Sequence, residues 1–193
     1  MGKANRSGQA ATLSVDQLDS IMAQLPPMEL AALSVRRYTA CRVTESLSLS
    51  WENILFDSVV FPRHIVKKKT KTRCVPMSPK LLPILEQWKQ QWAERYGRPP
   101  EKTDYVFPTY KDVSARFSRQ WVDKKLREAC GRVGVEGASL HSLRRSALTF
   151  AHSRGVQIRV MQQISGHSSL EQLQRYLDCS DEQKRQAVAN GFG

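Results

Sequence analysis

The chain lacks several features that would each have named a class. No apolar run reaches the roughly 18 residues a membrane-spanning helix needs, so no membrane role is expected. The leading segment, MGKANRSGQA, has no apolar signal-peptide core. Its Gly2–Ser7 spacing runs one place late for a myristoylation signal. Cysteine is scarce: Cys41, Cys74, Cys130 and Cys179 are far apart with no CxxC pair. That argues against a zinc site or a disulfide frame and for reduced thiols in a cytosolic protein. There is no internal repeat, no low-complexity tract and no carboxylate cluster of the kind that holds Mg²⁺. Acidic residues are outnumbered, 18 against 30 basic, for a formal charge of +12. A domain this basic suits a polyanion, and nucleic acid is the first candidate. The plainer alternative is a solvated, lysine-rich surface.

What is present is a globular composition: 40% hydrophobic and 25% charged residues over 193 positions. That fits one domain, or a domain plus a tail. Residues 1–12 read as a flexible leading segment. A capping box, Ser14 with Gln17, opens a helix carrying Leu18, Ile21, Met22 and Leu25. Pro26 and Pro27 end it and start the next, a buried helix from Met28 to Thr39. From Asp57 to Met77 β-type residues flank the run Lys67-Lys68-Lys69-Thr70-Lys71-Thr72-Arg73, which predicts a small antiparallel sheet with a basic hairpin tip. Such lysines can defend a strand edge or reach toward DNA. Ser78-Pro79 reads as an N-cap and first helical residue of a helix to about Tyr96. Tyr105–Pro108 reads as extended. Further helices are expected at 113–133, 142–154, 158–164 and 169–176, and the box Ser180/Gln183 opens a last one to about 189. The fold class is mainly α with a small antiparallel β-sheet (α+β).

Chemistry concentrates in HSLRRSALTFAHSRGVQIRVMQQISGHSSLEQLQRYL. His141 and Arg144, three apart, share a helix face, with Arg145 beside them. His167 follows the turn residue Gly166, and Tyr176 ends a short helical run. Arginine binds phosphate oxygens in pairs, histidine moves protons, and a tyrosine oxygen can act as a nucleophile. Upstream, Arg42 and Glu45 lie in apolar surroundings, which suits a structural ion pair as well as a site. His64 and His152 read as ordinary strand and helix residues, and the tryptophans as core.

In chain order these parts resemble the catalytic domain of the tyrosine recombinases, the phage integrase family. TACRVTESLSLSW (39–51) is similar to the first arginine motif. KTKTRCVPM (69–77) is similar to the lysine hairpin and its valine-proline strand. HSLRRS (141–146) and ISGHSSLEQLQRYL (164–177) are similar to the later motifs. The chain departs from the pattern in four places. Ala40 stands for a glycine, Ser165 for a leucine, Leu173 for a threonine, and the hairpin lacks its glycine. The missing glycine leaves the hairpin register open; Lys69, followed by a threonine, is the first choice for the catalytic lysine, Lys71, on the same strand face, the second and Lys68 the third.

The resemblance implies a tyrosine recombinase catalytic-domain fold over 13–178 and a helical tail over 179–193. It implies catalytic roles for Arg42, Lys69, His141, Arg144, His167 and Tyr176. Glu45 and Lys71 would support them, and Lys67, Lys68, Arg73 and Arg145 would contact DNA. No metal or other cofactor is implied. The expected partners are double-stranded DNA and further copies of the chain, as a tetramer on DNA, in a prokaryotic or phage cytoplasm at the nucleoid. A type IB topoisomerase shares the chemistry, and a DNA-binding relic without activity is the second class. Full-length members usually carry a helical core-binding domain in front. The expectation is thus a short single-domain member, such as the fimbrial-switch invertases, or a piece of a longer integrase.

Overall fold

The computed structural model describes residues 10–66, 71–174, 185, 188 and 189. Helix α1 (Val15–Met22) starts as its sequence predicts. The Ser14 hydroxyl accepts from the Gln17 amide, and the Gln17 side chain accepts from the Ser14 amide, at 3.1 and 2.9 Å. Helix α2 (Pro27–Thr39) begins on its proline, whose missing N–H costs nothing there. It is the central helix: Ala31, Leu33 and Val35 are fully buried, and it packs against both α4 and α6. A short α3 (Val43–Leu47) follows.

Strands β1 (Ser58–Phe61) and β2 (Arg73–Pro76) form the predicted antiparallel sheet, with Phe61 opposite Arg73 and Ser58 opposite Pro76. The tip at 67–70 lies outside the described residues. Helix α4 (Leu82–Tyr96) starts later than the sequence suggested. Residues 78–81 make a turn instead, and the Leu81 and Leu82 amides both donate to the Ser78 carbonyl. Pro83 explains the delay. In a helix begun at Pro79 its absent N–H would break an internal bond, whereas at the second helical position it breaks none.

Helix α5 (Arg119–Arg132) is also shorter than the predicted 113–133. Asp112 accepts from the Ser114 amide and hydroxyl, which holds 109–116 in a turn, and the Ser118 hydroxyl caps the helix by accepting from Trp121. Short polar side chains compete with the helix in this way. Phe117 is buried ahead of the helix and stacks on Trp121 at 3.8 Å. Helices α6 (Leu140–Ser153), α7 (Ile158–Ser165) and α8 (Leu170–Gln174) complete the described fold.

The tryptophans serve the core as expected. Trp88 and Trp92 are buried and donate to the Val106 and Tyr105 carbonyls, tying the segment 105–108 to α4. Of the leading segment assigned to 1–12, Thr12 accepts from Arg145 Nε, and the next residue, Leu13, is buried with its amide on Ser146 Oγ. Helix α2 and the site beyond it are joined by Ala40, at φ 49°, the one non-glycine residue with positive φ among those described. Its carbonyl accepts from Arg144 Nη1 at 2.6 Å. A left-handed alanine costs about 1–2 kcal/mol, and a glycine gives part of that back as unfolded-state entropy. Ala40→Gly should therefore stabilise the domain by about 0.5–1 kcal/mol, or about 2 °C in thermal melts.

Candidate active site

The site is built around a buried carboxylate. Glu45 lies one turn into α3 and is fully buried. Its Oε2 accepts from the Arg42 amide at 2.9 Å, and its Oε1 accepts from Arg42 Nη1 at 3.0 Å. Arg73 Nη2, arriving from β2, donates to Oε2 at 2.9 Å. Burial alone would push the Glu45 carboxyl up. The Arg73 charge first, then the Arg42 amide, the Arg73 bond and the Arg42 charge, overcome this and hold it below its ordinary 4.5. The predicted Arg42–Glu45 pair is thus present, with a second arginine sharing it.

Arg73 was expected to face DNA. The structure places it inside instead, 8% exposed, with its guanidinium 4.4 Å over the Phe61 ring and its Nη1 against Gly166. A β-carbon at Gly166 would lie 2.0 Å from that nitrogen, and φ there is +68°. Both facts require glycine. The cause of the inward placement is strand alternation: Arg73 and Val75 face the core while Cys74 is exposed. Arg42 Nη1 also donates to the Gly166 carbonyl at 3.3 Å, so strand, α3 and the turn after α7 meet at one point.

Arg144, on α6, is 2% exposed. Besides Ala40 it reaches His167, with Nη2 at 2.9 Å from the ring's Nε2. Ser165 decides which tautomer is present. Its hydroxyl donates to the Met161 carbonyl at 2.6 Å and lies 2.7 Å from His167 Nδ1. Arg144 Nη2 lies 3.2 Å from Nδ1 as well. With the hydroxyl's proton on the carbonyl, the tautomer that satisfies Ser165 carries its proton on Nδ1 and leaves Nε2, the nearer nitrogen, to accept from Arg144. Ser165, which stands where the family pattern has a leucine, thus holds the ring in place. Desolvation first, then the charges of Arg144 and Arg42, push the His167 pKa from 6.5 to about 3. His167 is therefore neutral at physiological pH. His141, near the start of α6, is exposed, and desolvation followed by the Arg144 and Arg36 charges lowers its pKa too.

A cleft of about 780 Å³ opens beside these groups. Arg42, Lys71 and His167 line it, with Arg159 and Gln162 from α7, which the motifs did not single out. Gln162 also donates to the His167 carbonyl at 3.2 Å. Arg145 stands apart, on Thr12. Lys67, Lys68, Lys69 and Tyr176 lie outside the described residues. Arg42, Glu45, Lys71, Arg144 and His167 thus converge from four separate parts of the chain, and His141 lies within electrostatic reach of His167.

The sequence model of the phage integrase family matches residues 11–183. The chain belongs to the phage integrase family. Tyrosine recombinase XerD of Vibrio vulnificus (strain YJ016) is 31% identical over 184 residues, covering 90% of this chain and 58% of XerD. Tyrosine recombinase XerC of Bifidobacterium longum (strain DJO10A) is 30% identical over 172 residues, 84% of this chain and 46% of XerC. The chain thus spans about half the length of the curated relatives it matches. Among solved structures, the XerA recombinase superposes with a TM-score of 0.77 at 22% identity, covering 97% of this chain and 66% of XerA. The catalytic domain of bacteriophage HP1 integrase superposes at 0.64 and 19% identity, covering 95% of this chain and 96% of that domain. The fold is that of a tyrosine recombinase catalytic domain. No described helix is long and apolar enough to cross a membrane.

His167 and Glu45 make the fold acid-sensitive. A histidine with a lowered folded pKa stabilises fully above 6.5 and loses that stabilisation as pH falls toward 3. Glu45 acts in the same direction at lower pH, as pH falls through its depressed value. The His167 share lost between pH 7 and pH 5 is about 2 kcal/mol. Thermal melts across that range should show the loss, and His167→Leu should flatten the slope. A slope unchanged in the variant would contradict this origin.

Proposed function

We propose that this chain cuts and rejoins duplex DNA at specific sites through a covalent 3′-phosphotyrosyl intermediate at Tyr176. The supporting observation is the convergence of two guanidinium groups, Arg42 and Arg144, on the turn that carries His167, in a member of this family. The Tyr176 oxygen attacks a phosphodiester and forms the P–O(Tyr) bond while the bond to the 5′-oxygen breaks. His141, whose pKa is lowered by burial and by the Arg144 and Arg36 charges, takes up the tyrosine proton. Lys69 gives a proton to the leaving 5′-oxygen. Attack by a 5′-hydroxyl reverses the step, so phosphoester bond energy is conserved.

Arg42 and Arg144 would clamp the non-bridging oxygens, where negative charge develops. Glu45, itself bonded by Arg73, would orient Arg42. The resemblance gives His167 a catalytic role. With Nε2 accepting from Arg144, its first role is to aim that arginine. Lys71 lies in the cleft, suited to a flanking phosphate or to the lysine role itself. Lys67, Lys68 and Arg145 would contact backbone phosphates, so affinity should fall steeply with salt.

Residues 13–178 form the catalytic unit in this proposal, and 179–193 a helical tail. The working assembly is a tetramer on DNA, in the cytoplasm at the nucleoid. The structure of the Tn1549 transposon integrase in complex with transposon right end DNA, which superposes at 0.78 with 12% identity over 98% of this chain and 68% of that one, supports a DNA partner. The second reading is a DNA-binding relic without activity.

A nicked suicide substrate separates the two readings. The wild-type chain should trap a covalent adduct, and Tyr176→Phe should trap none. Arg42→Ala and Arg144→Ala should each slow adduct formation by about 10²–10³-fold, as loss of an oxyanion donor does. No adduct with the wild type, or an adduct with Tyr176→Phe, would rule out the leading proposal.

A further inference from the structure

Neighbouring arginines on α2 have opposite fates. Arg37 pairs with Asp19 at 2.6 Å near the surface. Arg36 is 2% exposed, and its Nε and Nη1 have no hydrogen-bond partner among the described residues. Its Nη2 donates to the carbonyl of Leu140, the first residue of α6. Burial pushes its pKa down to about 10, which leaves it cationic at neutral pH. A buried charge so poorly partnered is costly, and an apolar side chain of similar size is commonly neutral or stabilising in such a place. Stability does not account for it.

Its single bond falls at an informative point. In a regular helix the Leu140 carbonyl is the acceptor for the amide four residues on, which belongs to Arg144. The next residue after Leu140 is His141. We infer that Arg36 is a positioning residue for the active site: it pins the first turn of α6, sets the stance of His141 and Arg144, and projects a positive charge onto His141. The inference rests on the proposed role of His141 as the group that takes up the tyrosine proton. Among the described residues, the charged and titratable groups acting on His141 include Arg144 and Arg145 on its own helix, Arg36 from α2, Arg119 from α5, and His167 after α7. All of the arginines favour the neutral imidazole, and a neutral imidazole can accept a proton.

The test compares the wild-type chain with Arg36→Met and Arg36→Lys. Three quantities are measured: melting temperature, adduct formation on the nicked substrate against pH, and the His141 titration by NMR. Arg36→Met should melt at or above the wild-type temperature. It should cleave roughly tenfold more slowly at the pH plateau. Its acid limb and the His141 pKa should both move up toward 6.5. Arg36→Lys keeps the charge and should restore the acid limb and much of the rate. A His141 titration unchanged in Arg36→Met overturns the inference. So does a melting temperature that falls in step with the rate, which marks a plain core residue. A wild-type chain that forms no adduct overturns the functional proposal alone, because the titration still decides the role of Arg36.

Discussion

The site depends on one carboxylate with two claimants. Glu45 is fully buried, and a lone charge there would be untenable. Arg42 and Arg73 together make it stable, and each comes from a different element. The pair closest in sequence builds the first turn of α3. The distant one fastens β2, and with it the hairpin, to that turn. A two-stranded sheet is marginal by itself. Here Arg73 anchors it by an ion pair, a ring contact and the close approach to Gly166. Removing Glu45 would leave the buried Arg73 without its counter-charge, and removing Arg73 would unfasten the hairpin from α3.

A second layer sits on this frame. Arg144 is aimed by a carbonyl on one side and an imidazole on the other, and the imidazole is aimed by Ser165. Ala40 in a left-handed conformation gives up local comfort to turn its carbonyl toward Arg144. Strain and burial are thus spent where a guanidinium must be held still, and α2, the most buried helix, carries the positioning to α6 through Arg36.

Much of this was legible in the residues. The capping box at Ser14, the proline start of α2, the hairpin and the helices around His141 follow from local rules that tertiary contacts did not override. Motif order, not local pattern, brought Arg42 to His167. The failures have physical causes. Pro83 and the Asp112–Ser114 turn moved two helix starts, because hydrogen-bond accounting over several residues outranks the first plausible cap. Arg73 was taken for an outward cation because it ends a basic run. Strand alternation turned it inward, and only the partner strand's register reveals that. Ser165 stood out only as a departure from a leucine, because its hydroxyl's two partners, Met161 and His167, are assigned only once the turn is folded.

The balance of charge around the cleft has a further consequence. Arg42, Lys71, Arg73 and Arg159 line it, His167 stays neutral, and the nearby carboxylate is sealed beneath them. Glu45 offsets the charge of Arg42 and Arg73 from below, and Lys71 and Arg159 add to what remains. In the proposed reaction a backbone phosphate would meet that remainder, so the cations that speed the chemistry would also set how tightly the substrate is held.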